Sequence, residues 1–175
     1  MNNIPVTDES ESDIPGKVYF LILIFSFVWL VMIFLIPLLM YSGGLPAKIS
    51  AYGYQFFSTV CHQQDERSFH LFEHKLGVCS RCVSVYSGFF LGAALYPLKY
   101  RLNNISTPSV FLLIFAVTLM MFDVLFDVSG IAANTFYSRS VTGFIVGFVL
   151  PYYLIPGFIK FFTEVHSFLR NKFST

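Results

Sequence analysis

Charge is scarce in this chain. Asp, Glu, Lys and Arg make up 12% of its 175 residues, about half the roughly 25% of soluble domains. A water-soluble fold of this size cannot cover itself with so little polar surface, which excludes a soluble enzyme and a disordered regulator. Charge of one sign is also missing. Eleven basic against ten acidic residues leave a net charge of +1, without the basic surplus that a phosphate backbone demands, so no nucleic-acid partner is expected. No basic residue precedes Lys17. The basic region of a cleavable signal peptide is therefore absent, and the first apolar stretch is expected to be retained.

What the chain has in abundance is apolar length. Hydrophobic residues make up 55%, phenylalanine alone occurs 22 times, and mean hydropathy is +0.67. The expected fold is an all-α integral membrane protein with the lipid bilayer as its main partner: four transmembrane helices, plus an interfacial or re-entrant helix in the first long connection. The acidic stretch 1–17 (Asp8, Glu9, Glu11 and Asp13) reads as a flexible tail. Residues 18–163 read as one transmembrane domain, and 164–175 as an amphipathic or frayed C-terminal tail at the interface. Within the domain the spans fall at about 18–40, 79–98, 107–128 and 140–160, each near the length that about 30 Å of hydrocarbon requires. The first connection covers 41–82. Pro151 and Pro156 predict a kink or break in the fourth span. Ser84, Gly88 and Gly92 recur at four-residue spacing on the second span, as do Gly143 and Gly147 on the fourth. Small residues so spaced let helix backbones approach, so these two spans are expected to pack together.

Four spans put the amino tail, the loop near Tyr100 and the carboxyl tail on one side, with Lys17, Lys99, Arg101, Lys160, Arg170 and Lys172. The other side carries Lys48, Arg67, Lys75, Arg81 and Arg139. Six against five barely orients the chain. If Arg67 and Arg81 are held by a site instead, both termini are cytoplasmic. Whichever side it is, Cys61, His62, Cys79, Arg81, Cys82, Asp123, Asp127 and Arg139 converge at one membrane face.

All three cysteines lie within one stretch, Cys61-His62 and then Cys79-Ser-Arg-Cys82. A C-x-x-C pair brings two sulfurs close enough to share a metal or form a disulfide. A third sulfur and an imidazole complete a tetrahedral Cys3His set that suits zinc or another transition metal. Arg81, between the pair, is expected to favour the thiolates. His70 and His74, four apart, share a face if their segment is helical, and either can replace His62. Redox-active thiols and buried inert cysteines remain the alternatives.

Asp123 and Asp127 lie four apart on one face of an otherwise apolar span. A carboxylate at the membrane centre costs about 2.5–3.5 kcal/mol, so such residues face a cavity, a partner charge or the headgroup level. Arg139 or Arg81 is the expected partner. Proton relay, cation binding and hydrogen bonding to a metal-bound histidine are the functional alternatives. Glu66, Arg67, Glu73 and Lys75 read as solvated loop charges, and His166 as structural.

The stretches CHQQDERSFHLF and GVCSRCVSVYSGFFLG resemble the predicted membrane protein family known as domain of unknown function 2085. The resemblance is carried by Cys61, His62, Gln63, Arg67, Ser68, Phe69, Val78, Cys79, Arg81, Cys82, Tyr86 and Gly88, and further on by Asp123, Asp127, Arg139, Thr142, Gly143 and Gly147. Gly77 stands where that pattern often has proline, and Val83-Ser84 where it has Thr-Gly. The resemblance implies a shared site, with His62 as its histidine and no activity attached. Three functions stay open: a metal site on Cys61, His62, Cys79 and Cys82, supported by Arg67, Arg81, Asp123, Asp127 and Arg139; a thiol–disulfide oxidoreductase using Cys79 and Cys82; and an ion- or proton-handling subunit using Asp123 and Asp127. A homo-oligomer or larger membrane complex fits the third. The expected location is a bacterial cytoplasmic membrane.

Overall fold

The computed structural model describes residues 14–102 and 107–173. Most of the expected acidic tail lies outside them, but the first helix begins earlier than the apolar run. Helix α1 spans Ile14–Tyr41, with Pro15 in the first turn, where a missing N–H costs nothing. At 28 residues it extends about 42 Å. Gly43 and Gly44, at φ 67° and 58°, turn the chain into α2 (Gly44–Ser58). This is the helix expected in the first connection, and it returns against α1. The Ser50 hydroxyl donates to the Ile36 carbonyl at 2.8 Å, and a Cβ on Gly53 would lie 2.8 Å from the Ile36 side chain.

Beyond α2 the connection holds a single 3-10 turn, Asp65–Arg67, and then a hairpin. His70–Leu71 (β1) and His74–Lys75 (β2) pair antiparallel, with His70 opposite Lys75 and Leu71 opposite His74. The two-residue turn, Phe72 and Glu73, has both φ angles positive, as a type I′ hairpin requires. His70 and His74 therefore do not share a helical face. The segment between Arg67 and Cys79 is too short to offset the cost of nucleating a helix, and the hairpin satisfies its backbone instead, Leu76 N–H donating to Phe69 O at 2.8 Å.

Helix α3 (Ser80–Lys99) follows, then α4 (Val110–Val128) and α5 (Phe136–Val149). The last helix, α6, runs over Pro151–Phe173. The break expected in the last span falls at Leu150–Pro151, yet the Leu150 carbonyl still accepts from Leu154 N–H at 3.0 Å. The C-terminal stretch expected to fray is helical through Phe173.

The protein is mostly helical, and three runs among the described residues are long and apolar enough to cross a membrane: α1, α4 and the combined Phe136–Arg170. Helix α3, expected as a further span, is not among them. Ser80, Arg81, Ser84 and Ser87 dilute its apolar content. α3 instead forms the most extensive helix pair in the molecule, with α5. The small-residue seam accounts for this. A Cβ added to Gly88, Gly92 or Gly147 would lie 2.4, 2.4 or 2.1 Å from a carbonyl oxygen of the facing helix, so backbone meets backbone there. Two apolar cores hold opposite ends of the bundle. One joins Val18 and Tyr19 to Ala93, Tyr96, Ile155 and Ile159; the other joins Ile33, Ile36 and Phe57 to Cys61, Val78 and Val83. Helix α4 is peripheral, with Ala116 its buried residue.

Candidate metal centre

Cys61 hangs from the end of α2, its N–H donating to Phe57 O at 2.9 Å. Gln63 then takes a positive φ of 48° and reverses the chain. Its side-chain amide donates to Tyr54 O and Gly77 O, both at 2.8 Å. Lys75 Nζ donates to the Gln63 carbonyl at 3.0 Å, and the Tyr54 hydroxyl donates to Lys75 O. These bonds hold the segment carrying Cys61 against the segment leading to Cys79. A Cβ on Gly77 would lie 2.9 Å from the Cδ1 tip of Ile36, which would have to shift to admit it. Cys79 caps the N-terminus of α3, and Cys82 follows in its first turn.

The three sulfurs lie within 4.8 Å of one another, and all three thiols are free. A tetrahedral ion with sulfurs at about 2.3 Å sets them about 3.8 Å apart, so the trio is near coordinating geometry. Cys61 is buried and the other two are half-buried. The Cys61 sulfur accepts from Cys79 N–H at 3.2 Å and from Gln63 N–H at 3.5 Å. Hydrogen bonds from the Cys79 and Cys82 side chains, and then these backbone donors, hold the Cys61 thiol well below the usual thiol range. A sulfur supplied with donors at a helix N-terminus is suited to the thiolate form, which is the metal-binding form. Trp29 closes the apolar side, its ring 5.1 Å from Phe57 and 5.7 Å from Tyr86.

His62 is exposed and is not a member of the sulfur cluster. Neither are His70 and His74; His70 contacts Asp65 at 3.4 Å. Arg81 is also not where the spacing suggested. Its guanidinium turns away from the thiols and pairs with Asp123 on α4.

Asp123 belongs to a second polar group at the same end of the bundle. Asp127 is 3.4 Å from Arg67 Nη2 and 4.0 Å from Arg139 Nη2. Asn134 ties the group together: its N–H donates to Asp127 at 3.1 Å, its amide to Asp123 at 3.4 Å, and its side-chain oxygen accepts from Arg139 Nε. Arg81, Asp123, Asp127 and Arg139 lie together in this group, and Arg67, expected as a solvated loop charge, pairs with Asp127. Gln63 and Asn134 were not singled out as site residues. Gln63 does stand in the Cys-His-Gln motif, whereas Asn134 lies in a loop that carries no such signal.

A helical membrane chain with three cysteines from two segments gathered at one end, beside an arginine–aspartate cluster, defines the class. The chain belongs to the family described as "Predicted membrane protein (DUF2085)", whose model matches residues 61–153, from the first cysteine to beyond the glycine seam. An uncharacterized protein of Methanocaldococcus jannaschii is 35% identical over 148 residues, covering 82% of this chain and 95% of its own. An uncharacterized protein of Methanothermobacter thermautotrophicus is 45% identical over 47 residues, covering 25% of this chain and 42% of its own. No solved structure matches.

Proposed function

We propose that the protein crosses the membrane four times, with α3 as the fourth span, and holds a transition-metal ion, zinc first, on the thiolates of Cys61, Cys79 and Cys82. The observation that carries this is the sulfur trio within 4.8 Å, supplied with backbone N–H donors. Zinc favours thiolate donors, and such an ion would pin the first connection to the start of α3. Three protein ligands leave a fourth position, which in zinc sites is the position taken by water or substrate. His62 is exposed and stands outside the trio, so on this reading water or substrate would take the fourth position.

Metal content of detergent-purified protein, prepared without chelator, tests the proposal. About one equivalent of zinc is expected in the wild type, near zero in Cys61→Ser and Cys79→Ser, and about one in His62→Ala. Less than about one-tenth equivalent of any transition metal in the wild type would end the reading. Loss of metal in His62→Ala would replace the open site with a closed Cys3His one.

A thiol–disulfide reading rests on the same trio, with Cys79 and Cys82 as the exchanging pair and Cys61 as the resolving thiol. It predicts a disulfide that cycles with an added oxidant, where the metal reading predicts three thiols protected from alkylation until the ion is removed. Ion or proton handling by Asp123 and Asp127 is disfavoured, because both carboxylates are paired with guanidinium groups.

A further inference from the structure

Among the described residues, Arg67, Arg81 and Arg139 pair with two carboxylates, Asp123 and Asp127, so this cluster of five carries a surplus of one positive charge. Four members of the group are largely withdrawn from water, the side chains of Asp123 and Arg139 keeping 10% of their exposure, Asp127 14% and Arg81 22%, while Arg67 sits at its open edge. Helix dipoles tilt the balance further. Arg81 and Arg139 lie near the starts of α3 and α5, where the dipole is already positive. The end of α4, which carries both aspartates, adds one negative pole against those two. Donors also outnumber acceptors. Arg81 Nε is buried without a hydrogen-bond partner among the described residues. Arg67 reaches Asp127 through one nitrogen, and its side chain remains 46% exposed.

A guanidinium surplus at the open edge of partly buried ion pairs attracts a counter-anion. Guanidinium forks match the oxygens of a phosphate, two N–H groups to two oxygens. We propose that this cluster binds a phosphate-type oxyanion, drawn either from a lipid headgroup or from free phosphate, with Arg67 as the accessible fork and the positive field of Arg81 and Arg139 behind it. The site is separate from the sulfur trio, and its occupancy does not require a metal there.

Two arms distinguish the sources. In the first, purified full-length protein in uncharged detergent is titrated with inorganic phosphate, against chloride at matched ionic strength, and thermal denaturation is followed. In the second, the protein is placed in bilayer discs of phosphatidylglycerol or of phosphatidylcholine, and retained lipid is counted by native mass spectrometry. Saturable stabilisation by phosphate supports a free anion; selective retention of phosphatidylglycerol supports a headgroup. In whichever arm responds, Arg67→Gln is expected to weaken binding about tenfold, the loss of one charge-assisted contact. Asp127→Asn removes a competing negative charge at nearly constant shape and is expected to tighten binding. The second variant keeps the test decisive if the first does not fold, because a merely structural role for Asp127 predicts no tightening. No saturable response in either arm, wild-type binding by a folded Arg67→Gln protein, or weaker binding by Asp127→Asn would overturn the proposal.

Discussion

Gln63 occupies a conformation that its own backbone resists. A positive φ of 48° costs an L-residue about 1–2 kcal/mol, and the two hydrogen bonds of its side chain offset this by joining the turns that carry Cys61 and Cys79. Removing the amide leaves the Tyr54 and Gly77 carbonyls without that donor. Gln63→Ala is therefore expected to destabilise the protein by about 1–3 kcal/mol and to lower its bound metal. Thermal denaturation and metal analysis of the same preparation check both. An unaltered melting temperature would show that the turn holds itself. At this scale the cysteines were legible because sulfur declares its chemistry through residue type. The partners of Gln63 are backbone carbonyls, which carry no residue identity, and nothing in the spacing of Asn134 ties it to Asp123 and Asp127. The side to which Arg81 turns was equally hidden, since both a thiolate and a carboxylate suit a guanidinium and only packing decides between them.

At the scale of elements, the α3–α5 pair depends on the absence of side chains. Gly88 faces the Phe144 carbonyl and Gly147 faces the Val85 carbonyl, so closely that an added Cβ would fall 2.4 and 2.1 Å from those oxygens. Either Gly→Ala change must push two helix backbones apart, and overpacking of this kind costs about 1–3 kcal/mol. Gly157 on α6 is the internal control, with nothing within 4 Å of its virtual Cβ. Gly157→Ala is expected to leave stability unchanged or raise it by about 0.5–1 kcal/mol through helix propensity. Unfolding of the three variants in a detergent titration gives the comparison, and equal effects at all three positions would sink the seam. This contact was legible because small residues four apart in an apolar segment already describe a helix face. The hairpin was not legible: His70 and His74 fit helix spacing as well as they fit two strands, and the shortness of the segment decided between them. Nor does hydropathy alone identify α3 as a span. Its serines, its glycines and Arg81 serve its contacts with other helices, which lowers the apolar content by which a span is recognised.

At the scale of the whole molecule, the ion pairs bear on how the chain is inserted. Three of the five basic residues on the cysteine-bearing side, Arg67, Arg81 and Arg139, pair with Asp127 or Asp123, leaving Lys48 and Lys75 to orient it. The opposite side carries Lys17, Lys99, Arg101, Lys160, Arg170 and Lys172, of which Lys160 pairs with Glu164. Setting aside the three arginines held in the cluster moves the nearly neutral balance of six against five towards the side of the termini, which the positive-inside rule assigns to the cytoplasm. If the proposed four spans hold, both termini are expected in the cytoplasm, with the sulfur trio and the arginine cluster on the outer face. A green fluorescent protein fused after Thr175 is expected to fluoresce, and alkaline phosphatase at the same point to remain inactive, because each reporter works on only one side of a cytoplasmic membrane. Fusions after Arg101, on the same side, are expected to match. The opposite pattern at both points would turn the bundle over and place the trio in the reducing cytoplasm. Opposite results at the two points would show an odd number of crossings between them and remove one of the proposed spans.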